Sequence, residues 1–393
     1  MELSQKLEQL IEKSVEKKEI AGANILVIQD GKEKAFAAGG HADIKAGRKY
    51  ERDTIVRLYS MSKPVTSAAA MLLMERGLLD PGAFVEEFLP GFHNAIVAEG
   101  GKLAPAEKPV RICDLLNMTS GLMYGGDITS VCSMETEKLF DRIKEHLYLE
   151  DALTTQEIAN RLGLIPLQFQ PGESFQYGTS ADVLGAVIEV ISGKSFGEFL
   201  KEEFFEPLGM KDTAFYVPQE KQNRLAKVYQ RTEDGLKLYT EDHLGIMNAM
   251  KQEPAFESGG AGLVSTLDDY AKFASMLMQD GSYQGKQILK TQTVRYMTNG
   301  SLMPWQQEVL DQCWEGIRGY TYANLLRIQK DPGKSPLFTS IGEYGWLGAY
   351  FCNSPKDGLT MLLTMQLKDA GTTSLTRRLK NVIWSELCGG RQK

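Results

Sequence analysis

Ser60-Met61-Ser62-Lys63 sets a hydroxyl and an amine three residues apart. On a helix that spacing stacks the two side chains on one face, a turn apart. The lysine nitrogen then reaches the serine hydroxyl. A lysine removed from water loses proton affinity and becomes a base able to activate a serine. A serine at a helix start also faces free N–H groups and the positive pole of the helix. The plain reading of SxxK is a capping serine followed by a surface lysine, so the chemistry needs partners. Tyr177 is one, within Pro171-Gly172-Glu173-Ser174-Phe175-Gln176-Tyr177-Gly178-Thr179. It opens a loop before a helical pattern and can aim its phenol at Ser60 and Lys63. Gly345-Trp346-Leu347-Gly348-Ala349 is the other; its glycines let a ligand approach the backbone closely. Their plain readings are a core tyrosine and a buried aromatic between turn glycines.

These groups need elements to hold them. Residues 54–58 read as a strand leading to Ser60, and residues 61–76 as a helix. Pro64 lies in its first turn and Gly77 just past its end, the expected polarity. Before them, residues 21–29 and 34–38 are apolar runs joined by Asp30-Gly31, a hairpin signal. Residues 81 to about 300 read as helical pieces and long loops, with the clearest helices at 181–191, 196–205 and 267–279. Thr266, three residues before Asp269, starts the last of these with a capping pattern. Residues 320–328, 348–353 and 359–366 read as strands, the last two joined by a turn at 355–358, and residues 373–387 as a closing helix. Strands and a helix at each end bracket a helical insert, so both ends can complete one antiparallel sheet.

Other motifs invite chemistry and fail on context. Gly193-Lys194-Ser195-Phe196-Gly197 fits GxSxG, but that elbow needs a strand before it, and 181–191 is helical. Gly193 reads as a helix-ending glycine, and Ser195 as a cap with Glu198 three residues on. The same stretch is no phosphate loop, because Ile188 stands where a glycine is required. His41, His93, His146 and His243 have no motif around them and read as ordinary surface or core histidines.

Composition narrows the classes. The chain has 393 residues, 42% hydrophobic and 24% charged, an ordinary globular balance. A formal charge of −7 argues against binding nucleic acid through phosphate neutralisation. No apolar run reaches the ~18 residues of a membrane span. Leu3, Leu7, Leu10, Ile11 and Val15 repeat at helical spacing among charges, an amphipathic helix rather than an export signal. Cys113, Cys132, Cys313, Cys352 and Cys388 show no CxxC and read as reduced, mostly buried thiols. A cytoplasmic location is expected.

Taken in order, the motifs resemble the serine β-lactamase and penicillin-binding superfamily, especially class C β-lactamases and family VIII carboxylesterases. Leu115-Leu116-Asn117-Met118-Thr119-Ser120-Gly121-Leu122 is similar to the family's LLxHTSGL. Gly259-Gly260-Ala261-Gly262-Leu263-Val264-Ser265-Thr266 is similar to its GGAGLxST, and the resemblance spans nearly the whole chain. It implies Ser60 as nucleophile, Lys63 as base or relay, and Tyr177 as the tyrosine of the YxN motif. The backbone N–H groups of Ser60 and Ala349 would form the oxyanion hole. Tyr124, Thr179, Trp346 and Gly348 are expected to face substrate, and no metal or cofactor is implied. Where relatives carry KTG, with a lysine for the substrate carboxylate, this chain has Trp346-Leu347-Gly348. The YxN asparagine is Thr179, and the LLxHTSGL histidine is Asn117. The first two departures are typical of the esterase branch.

The expected fold is therefore β-lactamase-like, α/β plus all-α. Residues 1–80 and 305–393 would form an α/β domain, residues 81–304 a mainly helical one, with the site between. The expected reaction is hydrolysis of small, neutral carboxylic esters through a Ser60 acyl-enzyme. The alternatives are a β-lactamase or D-Ala-D-Ala carboxypeptidase, an amidase or acyltransferase, and a non-catalytic binding protein. The oligomeric state is left open. An anionic substrate would need another cation, such as Arg318 or Lys368.

Overall fold

The computed structural model describes residues 1–313, 318–331 and 341–388. Asp30 and Gly31 both have positive φ (51° and 72°), the two-residue turn that matches strand twist. It joins strands Gly22–Gln29 and Lys32–Asp43. Gly22–Gln29 also pairs, antiparallel, with Leu359–Met365 from the far end of the chain. Eight described strands form one antiparallel sheet. Its order runs Tyr320–Ala323, Leu326–Gln329, Ile341–Tyr344, Tyr350–Ser354, Leu359–Met365, Gly22–Gln29, Lys32–Asp43, Arg48–Lys49.

The central strands are buried on both faces, so strict polar alternation is absent from them. Ile25, Val27, Met361 and Leu363 face helices Leu3–Glu16 and Ser374–Cys388, meeting Leu7, Ile11, Leu379 and Ile383. Leu26, Leu362 and Phe351 face the opposite core, where Tyr270 of helix Leu267–Met278 meets Phe351 at 5.2 Å. Full burial of one such aliphatic side chain is worth about 1.5–3 kcal/mol. Gly22–Gln29 thus clamps the two ends of the chain between two cores. No described helix is long and apolar enough to cross a membrane. No disulfide joins the five cysteines; Cys132 and Cys352 are buried and Cys313 is exposed.

The structure departs from expectation where tertiary bonds overrule local pattern. Residues 320–328 form a hairpin, not one strand, turning at Asn324 and Leu325 with φ of 50° and 58°. A leucine is a poor residue for such a turn. Leu325 is held there by burial and by its N–H bond to the Leu116 carbonyl (2.8 Å), while the Asn324 N–H donates to Asn117 Oδ1 (3.1 Å). That gives Asn117 a role: it ties the helix Ile112–Leu116 to the hairpin tip. Residues 54–58 yield only the bridge strand Val56–Arg57, which pairs with Val264–Ser265 outside the main sheet. Residues 348–353 become a strand only from Tyr350. The helix expected at 196–205 is Phe196–Leu200 continued by a widened π turn, Lys201–Phe205.

Candidate active site

The segment that carries Ser60 is anchored before it reaches that residue. The buried Arg57 guanidinium donates to the carbonyls of Ala226 (2.8 Å) and Asn248 and to Gln366. The Leu58 N–H donates to Leu263 O at 2.9 Å. One 3-10 turn, Tyr59–Ser62, then precedes helix Lys63–Glu75. The Ser62 hydroxyl accepts the Leu263 N–H at 3.1 Å. Ser60 is left half-buried, its hydroxyl within reach of Lys63.

Lys63 is fully buried. Its Nζ donates to Ser60 Oγ at 3.0 Å, Tyr124 OH at 3.2 Å and Gly260 O at 2.8 Å. Burial pulls its pKa down from 10.5 to about 8, against the fields of Asp182 and Glu343. The Gly260 carbonyl can only accept, so it fixes one N–H whatever the charge. In the neutral amine the lone pair can then turn to Ser60.

Tyr177 and Tyr124 close over the amine, with Nζ 4.7 Å and 5.6 Å from their ring centres. A hydrogen bond joins the Tyr177 phenol and Ser60; burial and Glu343 nonetheless hold that phenol well above its usual pKa. The Tyr124 phenol is raised in the same way, by burial first and then Asp182. Tyr177 is placed by stitched loops: Gln176 N–H donates to Met118 O at 2.9 Å, and Ser120 Oγ meets Ser180 Oγ at 2.9 Å. Gly178 lies against the Leu122 carbonyl, where a side chain would not fit.

Buried acids stand behind these groups. Asp182 accepts from Ser258 Oγ at 2.5 Å and Gly260 N at 3.0 Å, and so orients the carbonyl that holds Lys63. Glu343 pairs with Arg327 at 3.1 Å and accepts from Tyr322 OH at 3.4 Å. The Tyr322 ring meets Tyr177 edge-on at 5.8 Å. Sequence reasoning passed over Asp182, Tyr322, Arg327 and Glu343, because no motif marks them and only the folded sheet gathers them.

Residues 345–349 form a tight loop between two sheet strands, closed by Gly345 N–H to Ala349 O at 2.7 Å. Gly345 rests on the Leu58 carbonyl, which brings Ala349 beside the segment that carries Ser60. The Trp346 indole N–H donates to Asp369 at 2.6 Å, and its ring stacks on His243 at 4.1 Å. Tyr59 and Tyr239 flank it at 5.0 Å and 5.9 Å.

Some expected substrate contacts take other roles. The space beside Gly345 and Gly348 is filled by protein; a methyl group on Gly348 would lie 2.7 Å from Met365. Those glycines allow close packing of the protein on itself. Thr179 is fully buried at the start of helix Ser180–Ser192, and its hydroxyl meets no partner among the described residues. Tyr124 is bonded to the Lys63 amine itself.

The family model described as Beta-lactamase matches residues 7–381. The chain belongs to the β-lactamase family. Esterase EstB of Burkholderia gladioli is 31% identical over 94% of this chain and 95% of its own. Protein Rv1367c of Mycobacterium tuberculosis is 34% identical over 84% of this chain and 81% of its own. The solved structure of EstCE1, a hydrolase with promiscuous acyltransferase activity, superposes with a TM-score of 0.81 at 23% identity, covering 97% and 98% of the two chains. These likenesses agree with the β-lactamase-like fold and with a hydrolase. Within this family member, Ser195 is exposed and caps its helix by accepting the Glu198 N–H at 3.2 Å, and Gly193 ends the preceding helix with φ of 68°.

Proposed function

We propose that this protein is a serine esterase that cleaves small neutral esters through an acyl-enzyme on Ser60. The observation that carries the reading is the buried Lys63 amine, 3.0 Å from Ser60 Oγ with a pKa drawn down to about 8. Near neutral pH roughly a tenth of such lysines are unprotonated, enough to serve as a base. The Tyr177 phenol is pushed the other way and keeps its proton. This assigns Lys63 as the base and Tyr177 as the donor in the proton path. Ser60 Oγ attacks the ester carbon while its proton passes to Lys63 Nζ. The oxyanion is held by the N–H groups of Ser60 and Ala349. Collapse breaks the acyl–oxygen bond, and the departing alkoxide receives the proton through Tyr177. Water then attacks the acyl carbon, its proton passing to Lys63 Nζ; the acyl–Oγ bond breaks, Ser60 Oγ recovers the proton from Lys63, and the acid is released. The two ends of the chain (1–80 and 305–393) supply the lobe with the sheet, and residues 81–304 the other.

The preference for neutral esters rests on the corner where relatives carry a lysine. Trp346 fills it, and Lys368, 3.6 Å from Asp369 and 5.3 Å from the Tyr239 ring, has its charge countered. Arg318 is exposed beside Glu308 and Asp311. EstB supports esterase over lactamase activity. The test compares kcat/KM for a short p-nitrophenyl ester and a chromogenic cephalosporin on one preparation. The ester is expected to be the better substrate; a cephalosporin turned over as well or better would make the protein a β-lactamase instead.

A further inference from the structure

Tyr59, the residue before the nucleophile, has φ of 47°. A bulky side chain in the left-handed region is a genuine outlier and persists only where its surroundings over-determine it. Here they do. The Tyr59 ring is 2% exposed and sits in a separate small core with Ile55, Ala261, Val264 and Leu347. Trp346 packs against it at 5.0 Å and His243 at 6.1 Å. The next two residues go elsewhere: Ser60 Oγ meets Lys63, and Met61 enters the main core, its carbonyl held by Tyr270 OH at 2.8 Å. Three consecutive side chains therefore point to three different places, and the left-handed turn at Tyr59 makes that possible. Leu347, on the loop that bears Ala349, shares the core that holds the ring.

Resting on the Ser60 reading above, we propose that Tyr59 is a positioning residue. Its ring, gripped by the Trp346–His243 wall, holds the strained backbone that aims the Ser60 hydroxyl and N–H into the cleft. The wall beside the substrate and the aim of the nucleophile are then one mechanical unit.

The test separates backbone from side chain. Glycine adopts positive φ freely, asparagine tolerates it and alanine resists it. Tyr59→Phe should keep kcat within about twofold. Tyr59→Ala should lower kcat by about tenfold or more with little change in KM, since small misplacements of a nucleophile cost up to about a hundredfold. Tyr59→Gly and Tyr59→Asn should lose less, in the order Gly, Asn, Ala, although asparagine is larger than alanine. Rates are measured with a p-nitrophenyl ester and by fluorophosphonate labelling of Ser60, per folded molecule as judged by circular dichroism. Should the alanine variant not fold, the Phe, Gly and Asn proteins still decide. Losses confined to KM, or equal losses for Gly and Asn whatever their backbone tolerance, would overturn the proposal. A wild-type protein that takes no label at Ser60 would instead sink the esterase reading on which it rests.

Discussion

Ser60 and Ser195 each stand near a helix start with a lysine nearby, and they end in opposite conditions. Ser195 caps helix Phe196–Leu200, so its oxygen is occupied by the Glu198 N–H. Glu189 and Glu257 take the two preceding N–H groups, at Phe196 (3.1 Å) and Gly197 (2.7 Å). The N–H groups of Phe196, Gly197 and Glu198 are thus all taken. Lys194 lies on the surface against Glu202, which raises its pKa and keeps it charged. At Ser60 an extra 3-10 turn shifts the cap position to Ser62, whose hydroxyl accepts the Leu263 N–H from another segment rather than a helix N–H. Ser60 is thereby freed for Lys63, which burial pushes toward neutrality. The serine proposed to react is the one its own helix does not use.

The comparison breaks most visibly by mutation. Ser60→Ala should lower ester turnover by at least three orders of magnitude, as loss of a hydrolase nucleophile does. Ser195→Ala should leave turnover within about twofold and cost only about 1 kcal/mol of stability, the usual worth of a cap. Esterase assays and urea unfolding check both, and a phosphonate adduct on a Ser195 peptide would reverse the comparison. Next in size, Lys63→Ala and Tyr177→Phe should each cost about two orders of magnitude in kcat. Their double variant should lose less than the product of the two, because the groups share one proton path. Lys194→Ala should change nothing measurable in the same assay.

Exchange of Trp346 for lysine should have a smaller effect. A charge-assisted bond to a carboxylate is worth about 1.5–3 kcal/mol, so Trp346→Lys should shift the cephalosporin-to-ester ratio of kcat/KM by about ten- to a hundredfold. Asp369 stands where the new ammonium would go and would draw the shift toward the lower value. The pH profile is the gentlest probe. If neutral Lys63 is the base, kcat/KM rises with pH and levels above about 8. The same shift carries a stability sign. The folded pKa lies below the unfolded 10.5, so between the two the unfolded chain binds more protons, and this group adds stability as pH rises across that window. Lys63→Met should remove that slope from urea unfolding measured at pH 8 and pH 10.

Much of the scaffold was legible because its signals are local. Asp30-Gly31 marks its hairpin, Gly193 and Ser195 mark a helix end and a helix start, and Thr266 caps Leu267–Met278 by accepting the Asp269 N–H at 3.2 Å. The hairpin at Asn324-Leu325 was not legible, because its turn is held by Leu116 and Asn117, some 200 residues earlier. Tyr124 was noticed only as a substrate contact, since nothing local tells that its phenol meets an amine 61 residues away.

By itself the sequence determined the family, the Ser60–Lys63 spacing and the helix that follows it, because spacing and helix-end signals such as Pro64 and Gly77 are properties of consecutive residues, whereas the 3-10 turn that joins the pair emerged in the fold. The tertiary structure decided the proton affinities. Lys63 is depressed because the chain buries it, and Tyr177 is raised because burial and Glu343, from a strand near the other end, act on it together. Desolvation and charge fields depend on what surrounds a group in space, and residues from both ends of the chain supply those surroundings only after the sheet has closed.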